Sequence, residues 1–324
     1  MKSSTCTRHR ANIGLTAAAA LVAITSGCAA TSSAKALRDD NLFGAAPVRI
    51  ERGRPNALID GLGWFAGIPN KLALWDRRAD NHDVSAKTEA ALVEYMIAND
   101  LEDVLVRANQ YDPIDEWRRL VRNKRLAAGW RYTVGTLNML EYTLLPGRIV
   151  GGDWYNPFTD TINLYSDIPA IALTEAAYAK DVRRRKYPGT YAALKEVPVA
   201  GMYHETRATE DVIAYIRARG TPTQQEESLG ILYPDYGANW GGQLASFLPY
   251  GHLYGRLAGA VVGHTANGAR QLISHEQESS RVDAVAKVPA RDSIAAPQQD
   301  PVPALDRLPP PTAQQTLFTE RTSP

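Results

Sequence analysis

The sequence predicts an α+β fold that is mostly helical, with a small sheet and a disordered C-terminal tail. Apolar residues recur at helical spacing over residues 85–99, 167–181 and 203–219. Residues 103–109 alternate as a strand does, with Val104 and Val106 on one face. Toward the C-terminus the apolar content falls and proline accumulates, which is typical of a chain that cannot bury a core.

The N-terminal residues resemble a bacterial lipoprotein signal. Basic residues precede an apolar run over residues 13–24 that is too short to be a comfortable membrane span. The run leads to Ser-Gly-Cys, so residues 1–27 would be removed and Cys28 acylated; an ordinary secretory signal is the alternative. Because Ala29 is not acidic, the resemblance implies an outer-membrane lipoprotein that faces the periplasm.

Cysteine usage and charge exclude several classes of protein. The second cysteine, Cys6, lies in the removed segment, so catalytic thiols, disulfides and Cys-type zinc sites are excluded. The formal net charge of +1 gives no basis for binding nucleic acid. The basic run at residues 183–186 falls where a helix should end, and cations there complement the helix C-terminus. A phosphate-binding patch is the alternative for this run.

The sequence divides into a tether (residues 28–57), one domain (residues 58–279) and a proline-rich tail (residues 280–324). With 324 residues, 44% of them hydrophobic, it can support one sizeable domain between two polar ends. The first part of that domain, up to residue 80, is punctuated by glycine and proline and is predicted to be irregular.

Helix-capping residues place the next elements. Ser85 is the predicted N-cap of the helix that extends to residue 99. Asp112 and Pro113 are predicted to open a helix that runs to about Arg122, the aspartate as cap and the proline at the first helical position. Residues 130–145 are apolar and aromatic, and their pattern is compatible with either a helix or a strand.

Four glycines recur at every fourth position of a predicted helix over residues 250–268: Gly251, Gly255, Gly259 and Gly263. On a helix they form one groove that allows very close backbone approach. Each internal glycine costs a helix about 1 kcal/mol relative to alanine, so four in register indicate a packing role. The groove is predicted to pack against the domain's own core; membrane insertion or self-association is the alternative.

The most informative helix carries one glutamate, Glu175, on an otherwise apolar face. Asp167 is the predicted cap of this helix, and Pro169 lies in its first turn. Thr174 and Tyr178 bracket the glutamate at the two positions that are histidines in the zinc-binding H-E-x-x-H motif, where the glutamate is the general base. Glu175 is therefore present without either histidine.

The surroundings of this helix resemble the gluzincin-type zinc metallopeptidases. About thirty residues later, a helix beginning near Tyr203 resembles the one that supplies the third, carboxylate ligand in that family, with Glu205 at the ligand position. Upstream, residues 156–165 resemble the strand that edges the substrate cleft. The resemblance covers roughly residues 144–219 and implies a metallopeptidase-like domain. The cleft residues that it implies are Thr174, Glu175, Tyr178, Glu205 and Thr209.

The missing histidines put the metal in question. A zinc peptidase normally presents three ligands with at least one imidazole. His204 adjoins Glu205 on the helix and points about 100° away from it, so it is predicted to be a partly exposed residue at the helix start. No metal is expected, with Glu205 the ligand if zinc is bound. Glu175 is then a relic general base, which the hydroxyls of Thr174 and Tyr178 can satisfy.

The predicted function is binding or scaffolding by a lipid-anchored, catalytically degenerate envelope protein. Its partner would be a peptide or an envelope protein, paired with the edge strand at residues 161–165. One alternative is an active hydrolase, which either binds zinc through unusual ligands or is metal-free and acts through Glu175 and Glu205. Another is a membrane-associating protein that acts through the glycine-spaced helix. Serine catalysis has no support, because no G-x-S-x-G elbow is present.

Overall fold

The computed structural model describes residues 48–197 and 199–286. The predicted signal segment, Cys28, residues 28–47 of the tether and residues 287–324 of the tail lie outside the described residues. The chain forms two compact units, of which the first ends at Leu272 and the second begins at Ile273. The described part of the second unit is helical through Ala286, so the predicted tail boundary at residue 280 is wrong.

Four short strands form one mixed sheet. They are β1 (Ile50–Arg52), β2 (Leu105–Ala108), β3 (Trp154–Asn156) and β4 (Thr161–Leu164), in the spatial order β1-β2-β4-β3. β1, β2 and β4 run parallel, and β3 is antiparallel to β4. The predicted α+β fold, mostly helical with a small sheet, is confirmed.

Helices cover both faces of the sheet. The helices are α1 (Ala57–Ala66), α2 (Ile68–Leu74), α3 (Ala86–Ala98), α4 (Pro113–Arg122), α5 (Ala128–Trp130), a π-helix (Arg131–Gly135), α6 (Thr136–Leu144), α7 (Gly147–Val150), α8 (Pro169–Arg183), α9 (Pro188–Lys195), α10 (Ala200–Arg219), α11 (Pro222–Ala245) and α12 (Gly251–Ala286). α3, α8 and α10 contribute to the core on one face of the sheet, and α4 and α6 contribute to the core on the other.

The two faces of the sheet have different chemistry. On one face, Val106, Ile162 and Leu164 lie in the main apolar core with residues of α3 and α8. Alternation turns Arg107 of β2 to the other face, where it is completely buried. Its guanidinium donates to Glu116 at 2.8 Å and to two further carboxylates of β1 and α4. The protein tolerates this buried cation because each of the three guanidinium nitrogens donates to a carboxylate.

The predicted caps of α3 and α4 are confirmed. Ser85 Oγ accepts the Thr88 N–H at the start of α3. Asp112 accepts the Asp115 N–H at the start of α4, which has Pro113 in its first turn and ends at Arg122. These caps are predictable because side-chain oxygens satisfy N–H groups that the helix itself leaves free.

The predictions for the N-terminal part of the domain are wrong. Residues 50–52, which fall in the predicted tether, form β1 and pair with β2. Residues 57–74, predicted to be irregular, form α1 and α2, with Asn56 accepting two N–H groups as the N-cap of α1. Glycines at positions 61 and 63 are tolerated inside α1, so glycine alone is a poor indicator of irregular structure there.

The glycine-spaced helix packs against the domain itself, as predicted. A Cβ built on Gly259 would lie 1.9 Å from the carbonyl oxygen of Gly237, so only glycine allows α11 and α12 to approach this closely. The same holds for Gly255 against Gly241 at 2.2 Å and Gly263 against Tyr233 at 2.2 Å. This groove is therefore filled by α11. Of the helices in the described residues, none has the length and apolar content needed to cross a membrane.

The region predicted to be an edge strand is a hairpin. Residues 154–156 and 161–164 are its two strands, and β4 pairs with β2 on one side and β3 on the other. The prediction that residues 161–165 offer a free edge to a peptide is therefore wrong. The outer strand is β3, and the Tyr155 N–H donates to Glu175 Oε2 at 2.7 Å. The Glu175 side chain of α8 thus accepts a hydrogen bond from a backbone N–H of the edge strand.

Candidate functional site

α8 is positioned by contacts at its first turn that differ from the predicted ones. Its N-cap is Ile168, without a side-chain hydrogen bond. Asp167, the predicted cap, instead accepts hydrogen bonds at Oδ1 from Ser85 N–H at 3.0 Å and from the hydroxyls of Ser85 and Thr88, both at 2.6 Å. This carboxylate therefore joins the start of α3 to the start of α8.

Glu175 is held at the boundary between α8 and β3. The hydrogen bond from Tyr155 N–H fixes its carboxyl group, and the side chain keeps partial solvent exposure. Burial raises the pKa of Glu175 to about 8; the charge of Lys195 opposes this shift, and the charges of Glu205 and Asp153 reinforce it. Glu175 is consequently mostly protonated at neutral pH.

Thr174 and Tyr178 do not hydrogen-bond to Glu175, so that prediction is wrong. Thr174 Oγ1 donates to the carbonyl of Ala170 at 3.0 Å, the preceding turn of the same helix. The Tyr178 hydroxyl is buried and has no hydrogen-bond partner among the described residues. The site therefore contains a polar group that nothing in the described part of the chain satisfies.

Lys195, the last residue of α9, brings a cation to this site. Its Nζ lies 3.6 Å from Glu205 Oε1 and 4.0 Å from the centroid of the Tyr178 ring. Burial lowers the pKa of Lys195, but the charges of Glu205 and Glu175 more than offset this, and the net shift is upward. Lys195 therefore remains an ammonium, placed over an aromatic face and against a carboxylate.

The other oxygen of Glu205 faces α11. Asn239 Nδ2 lies 3.5 Å from Glu205 Oε2, the outer limit of a hydrogen bond, and 3.3 Å from Asp235 Oδ2. Arg256 Nη1 donates to Asn239 Oδ1 at 2.6 Å and fixes the orientation of the amide. Burial raises the pKa of Asp235 to about 7; Arg256 lowers it, and Glu205 raises it.

Two more aspartates lie beyond Asp235. Burial and the charge of Asp153 raise the pKa of Asp80 to about 6. Asp80 Oδ2 accepts from Asn70 Nδ2 at 3.0 Å, while its Oδ1 is buried without a partner among the described residues. Arg256 Nη2 donates to Asn70 at 2.7 Å, which joins this pair to α12. We name the five acids the acidic cleft, after the substrate cleft that the gluzincin resemblance implies: Asp80, Asp153, Glu175, Glu205 and Asp235.

Thr209 and His204, which the sequence places near Glu205, are both buried inside the protein. Thr209 is buried on α10, one turn beyond Glu205. His204 is buried as well, so the prediction of partial exposure is wrong. Its Nε2 lies 2.9 Å from the carbonyl oxygen of Tyr191 and its Nδ1 lies 3.2 Å from that of Ala200. Both ring nitrogens therefore face backbone carbonyl oxygens, of which the neutral imidazole can donate to one, and neither nitrogen is paired with an acid of the cleft.

The donor set does not fit the zinc ion that the gluzincin resemblance implies. Thr174 donates within its own helix, and the ammonium of Lys195 lies against Glu205, the expected carboxylate ligand. Over the described residues, no group of three or more histidines, cysteines, aspartates or glutamates is arranged to hold a metal ion. A divalent cation beside Glu205 would also be repelled by the Lys195 ammonium.

The order of elements agrees with the resemblance, since a strand, the Glu175 helix, a connector and the Glu205 helix follow one another. The chain matches no protein-family model, no curated protein and no solved structure. The resemblance therefore stays a hypothesis. Any function must be argued from the contacts around Glu175, Lys195 and Glu205.

Sequence reasoning missed most of the acidic cleft. Lys195 is a lone lysine at the end of a short helix, and its position beside Glu205 depends on how α9 packs on α10. Asp153 precedes a three-residue strand without a recognisable motif. Asp235 had one local signal, because it follows Pro234, a proline inside α11; such prolines mark places where a helix departs from regular hydrogen bonding.

Proposed function

We propose that this protein is a lipid-anchored cell-envelope protein, facing the periplasm at the outer membrane, whose metallopeptidase-like cleft binds a peptide or protein partner without metal and without catalysis. The position of Lys195 carries this proposal. Its ammonium lies 3.6 Å from Glu205 Oε1 and over the Tyr178 ring. The positive charge that zinc would supply in the resembled enzymes is thus supplied by the chain itself.

The protonation of Glu175 supports the absence of peptidase chemistry. A general base must be unprotonated to accept a proton from water. With its pKa raised to about 8 by burial, Glu175 holds its proton over most of the neutral range. Its hydrogen bond to the backbone of Tyr155 also gives the residue a structural role that survives the loss of catalysis.

The free groups of the cleft are suited to a polar ligand. Glu175, Glu205 and Asp235 each keep partial solvent exposure, so a ligand can reach them. A peptide offers N–H groups, which a carboxylate accepts, and C=O groups, to which the protonated carboxyl group of Glu175 can donate.

The zinc content of the purified full-length protein tests the proposal. After incubation with zinc and dialysis, we expect far less than one zinc per chain, unchanged in Glu205→Ala. Lys195→Ala is measured in the same way, because this variant removes the competing cation and leaves Glu205 in place. Stoichiometric zinc in the parent protein that is lost in Glu205→Ala would overturn the proposal and indicate a peptidase with unusual ligands.

A metal-free hydrolase is the second candidate, and the raised pKa of Glu175 favours it over other enzymes. A carboxylic acid that is protonated near neutral pH can donate a proton to a leaving group. Glu205, the second carboxyl group, would have to act as base or nucleophile although it is paired with Lys195. Hydrolysis of peptide or glycan substrates that disappears in Glu175→Gln, with the fold retained, would establish this candidate in place of a binding protein.

A further inference from the structure

A cavity of about 300 Å³ lies apart from the acidic cleft. It is formed by the turn between β3 and β4 and by the segment that joins α8 to α9. Four cationic side chains and one carboxylate, Asp160, line it, together with apolar and aromatic residues. The cations are Arg125, Arg183, Arg185 and Lys186. Neither Glu175 nor Glu205 lines this cavity, so it is a separate site.

Two of the four cations are neutralised within the protein. Arg183 Nη2 donates to Asp160 at 2.5 Å, and its Nη1 donates to Asp103 at 2.5 Å. Arg125 forms ion pairs with the same two aspartates. Tyr155 adds a hydrogen bond to Asp160 at 2.7 Å. The charges of Arg125 and Arg183 are therefore balanced by Asp103 and Asp160 without a ligand.

The other two cations keep binding capacity. Arg185 uses Nη2 for both oxygens of Asp181, at 2.7 and 2.9 Å, and for the hydroxyl of Tyr191 at 3.1 Å, while its Nε is buried and has no partner among the described residues. Lys186 is exposed and forms no ion pair with any residue that the structure describes. Within the described residues the four cations pair with three aspartates, which leaves one positive charge without a partner.

The start of α9 lies at the same cavity. Pro188, the first residue of this helix, lines the cavity and has no N–H of its own, and no side chain of the described residues caps the helix. The first N–H groups of a helix have no acceptor within it, and they favour an anion. A lysine without an ion pair in the described residues, a guanidinium and the start of a helix therefore lie at one cavity.

We infer that this cavity binds a phosphate group that carries an apolar substituent. The phosphate would contact the exposed ammonium of Lys186, next to the Arg185 guanidinium and the start of α9, because guanidinium, ammonium and helix N–H groups are the usual phosphate donors. Leu126 and Val182 on the apolar wall would contact the substituent. The volume lies at the lower end of the range for small-molecule sites, which limits the ligand to a small ester or to the headgroup end of a phospholipid.

Calorimetric titration of the full-length protein with phenyl phosphate tests this inference. The test variant is Lys186→Glu, which reverses an exposed charge that supports no ion pair in the described residues. Arg217→Glu is the matched control, since it makes the same change of charge at an exposed position of α10. We expect saturable binding that is weakened at least about tenfold in Lys186→Glu and unchanged in Arg217→Glu.

Vesicles with and without phosphatidic acid distinguish the source of the phosphate. Saturable binding of phenyl phosphate supports a soluble ester, and binding only to vesicles that contain phosphatidic acid supports a lipid headgroup; in each case Lys186→Glu must weaken it selectively. Absence of binding in both experiments overturns the inference. Equal weakening in both variants also overturns it, because the interaction would then follow net charge alone.

Discussion

Lys195 Nζ lies 3.6 Å from Glu205 Oε1, and this contact joins the end of α9 to the start of α10. It is the one cation–carboxylate contact within 4 Å that Glu205 makes in the described residues. Because the same ammonium also acts on Glu175, a single lysine charge is shared between the two glutamates that the gluzincin resemblance singles out. Among the charged residues, Lys195 therefore has the largest influence on Glu175.

Lys195→Met is expected to raise the pKa of Glu175 above its value of about 8. Burial is the main cause of that raised pKa, and the ammonium is the largest influence opposing it. A ¹³C NMR titration of the glutamate carboxyl groups measures the change. Lys186→Met is the control, since Lys186 is not among the charges that shift Glu175. An unchanged Glu175 titration in Lys195→Met would contradict the placement of Lys195.

Glu175→Gln is expected to stabilise the protein in alkaline solution and to have little effect in acid. The pKa of Glu175 is about 8 in the folded protein and near 4.5 when unfolded, so between these values only the unfolded state loses the proton. The parent protein therefore loses stability as the pH rises through this window, at about 1.4 kcal/mol per pKa unit before reduction by the solvent that reaches the carboxyl group.

Chemical denaturation at about pH 5 and about pH 9 checks this prediction. The free energy of unfolding of Glu175→Gln should exceed that of the parent at the higher pH, and the two should converge at the lower one. The glutamine can still accept the hydrogen bond from Tyr155 N–H, so the substitution isolates the charge. A difference that is the same at both pH values would contradict the raised pKa.

The sequence was sufficient to predict helix caps and the close packing of the glycine-spaced helix, because these features depend on residues that are neighbours in the chain. Ser85 and Asp112 are identifiable as caps because a side-chain oxygen next to an apolar helix pattern has few other uses. The four-residue spacing of the glycines predicts close packing because it depends only on helix geometry. These features need no knowledge of what lies across the fold, and the structure confirms them.

The predictions that failed depend on tertiary partners. β4 has the composition of a strand, but whether it lies at an edge is decided by β2, more than fifty residues away. Asp167 has the sequence context of a cap for α8, and its carboxylate instead binds Ser85 and Thr88 because α3 packs beside it. The partner of Glu175 was also unpredictable, since a backbone N–H of β3 competes with the nearby hydroxyls.

Arg107→Met is expected to destabilise the protein by about 3–5 kcal/mol, because it leaves a buried carboxylate without its cation. Glu116 is almost completely buried, and Arg107 Nε is its partner at 2.8 Å. The double variant with Glu116→Gln should recover part of the loss, since the uncompensated charge is then removed. Urea denaturation of the three proteins measures both effects. A loss in the double variant as large as in Arg107→Met would show that packing, rather than charge, dominates.

Gly259→Ala is expected to destabilise the α11–α12 pair, whereas Gly268→Ala on the same helix is expected to stabilise it. A Cβ at Gly259 would lie 1.9 Å from the carbonyl oxygen of Gly237 and 3.1 Å from the Cα of Gly241. These are backbone atoms, so the helices must separate, at a cost of about 1–3 kcal/mol or more. A Cβ at Gly268 meets nothing within 4 Å, and alanine there gains up to about 1 kcal/mol of helix propensity. Thermal unfolding of the two variants therefore gives shifts of opposite sign if the glycine groove holds α12 against α11. Stabilisation by both alanines would mean that the groove is open and that its glycines serve a contact outside the domain.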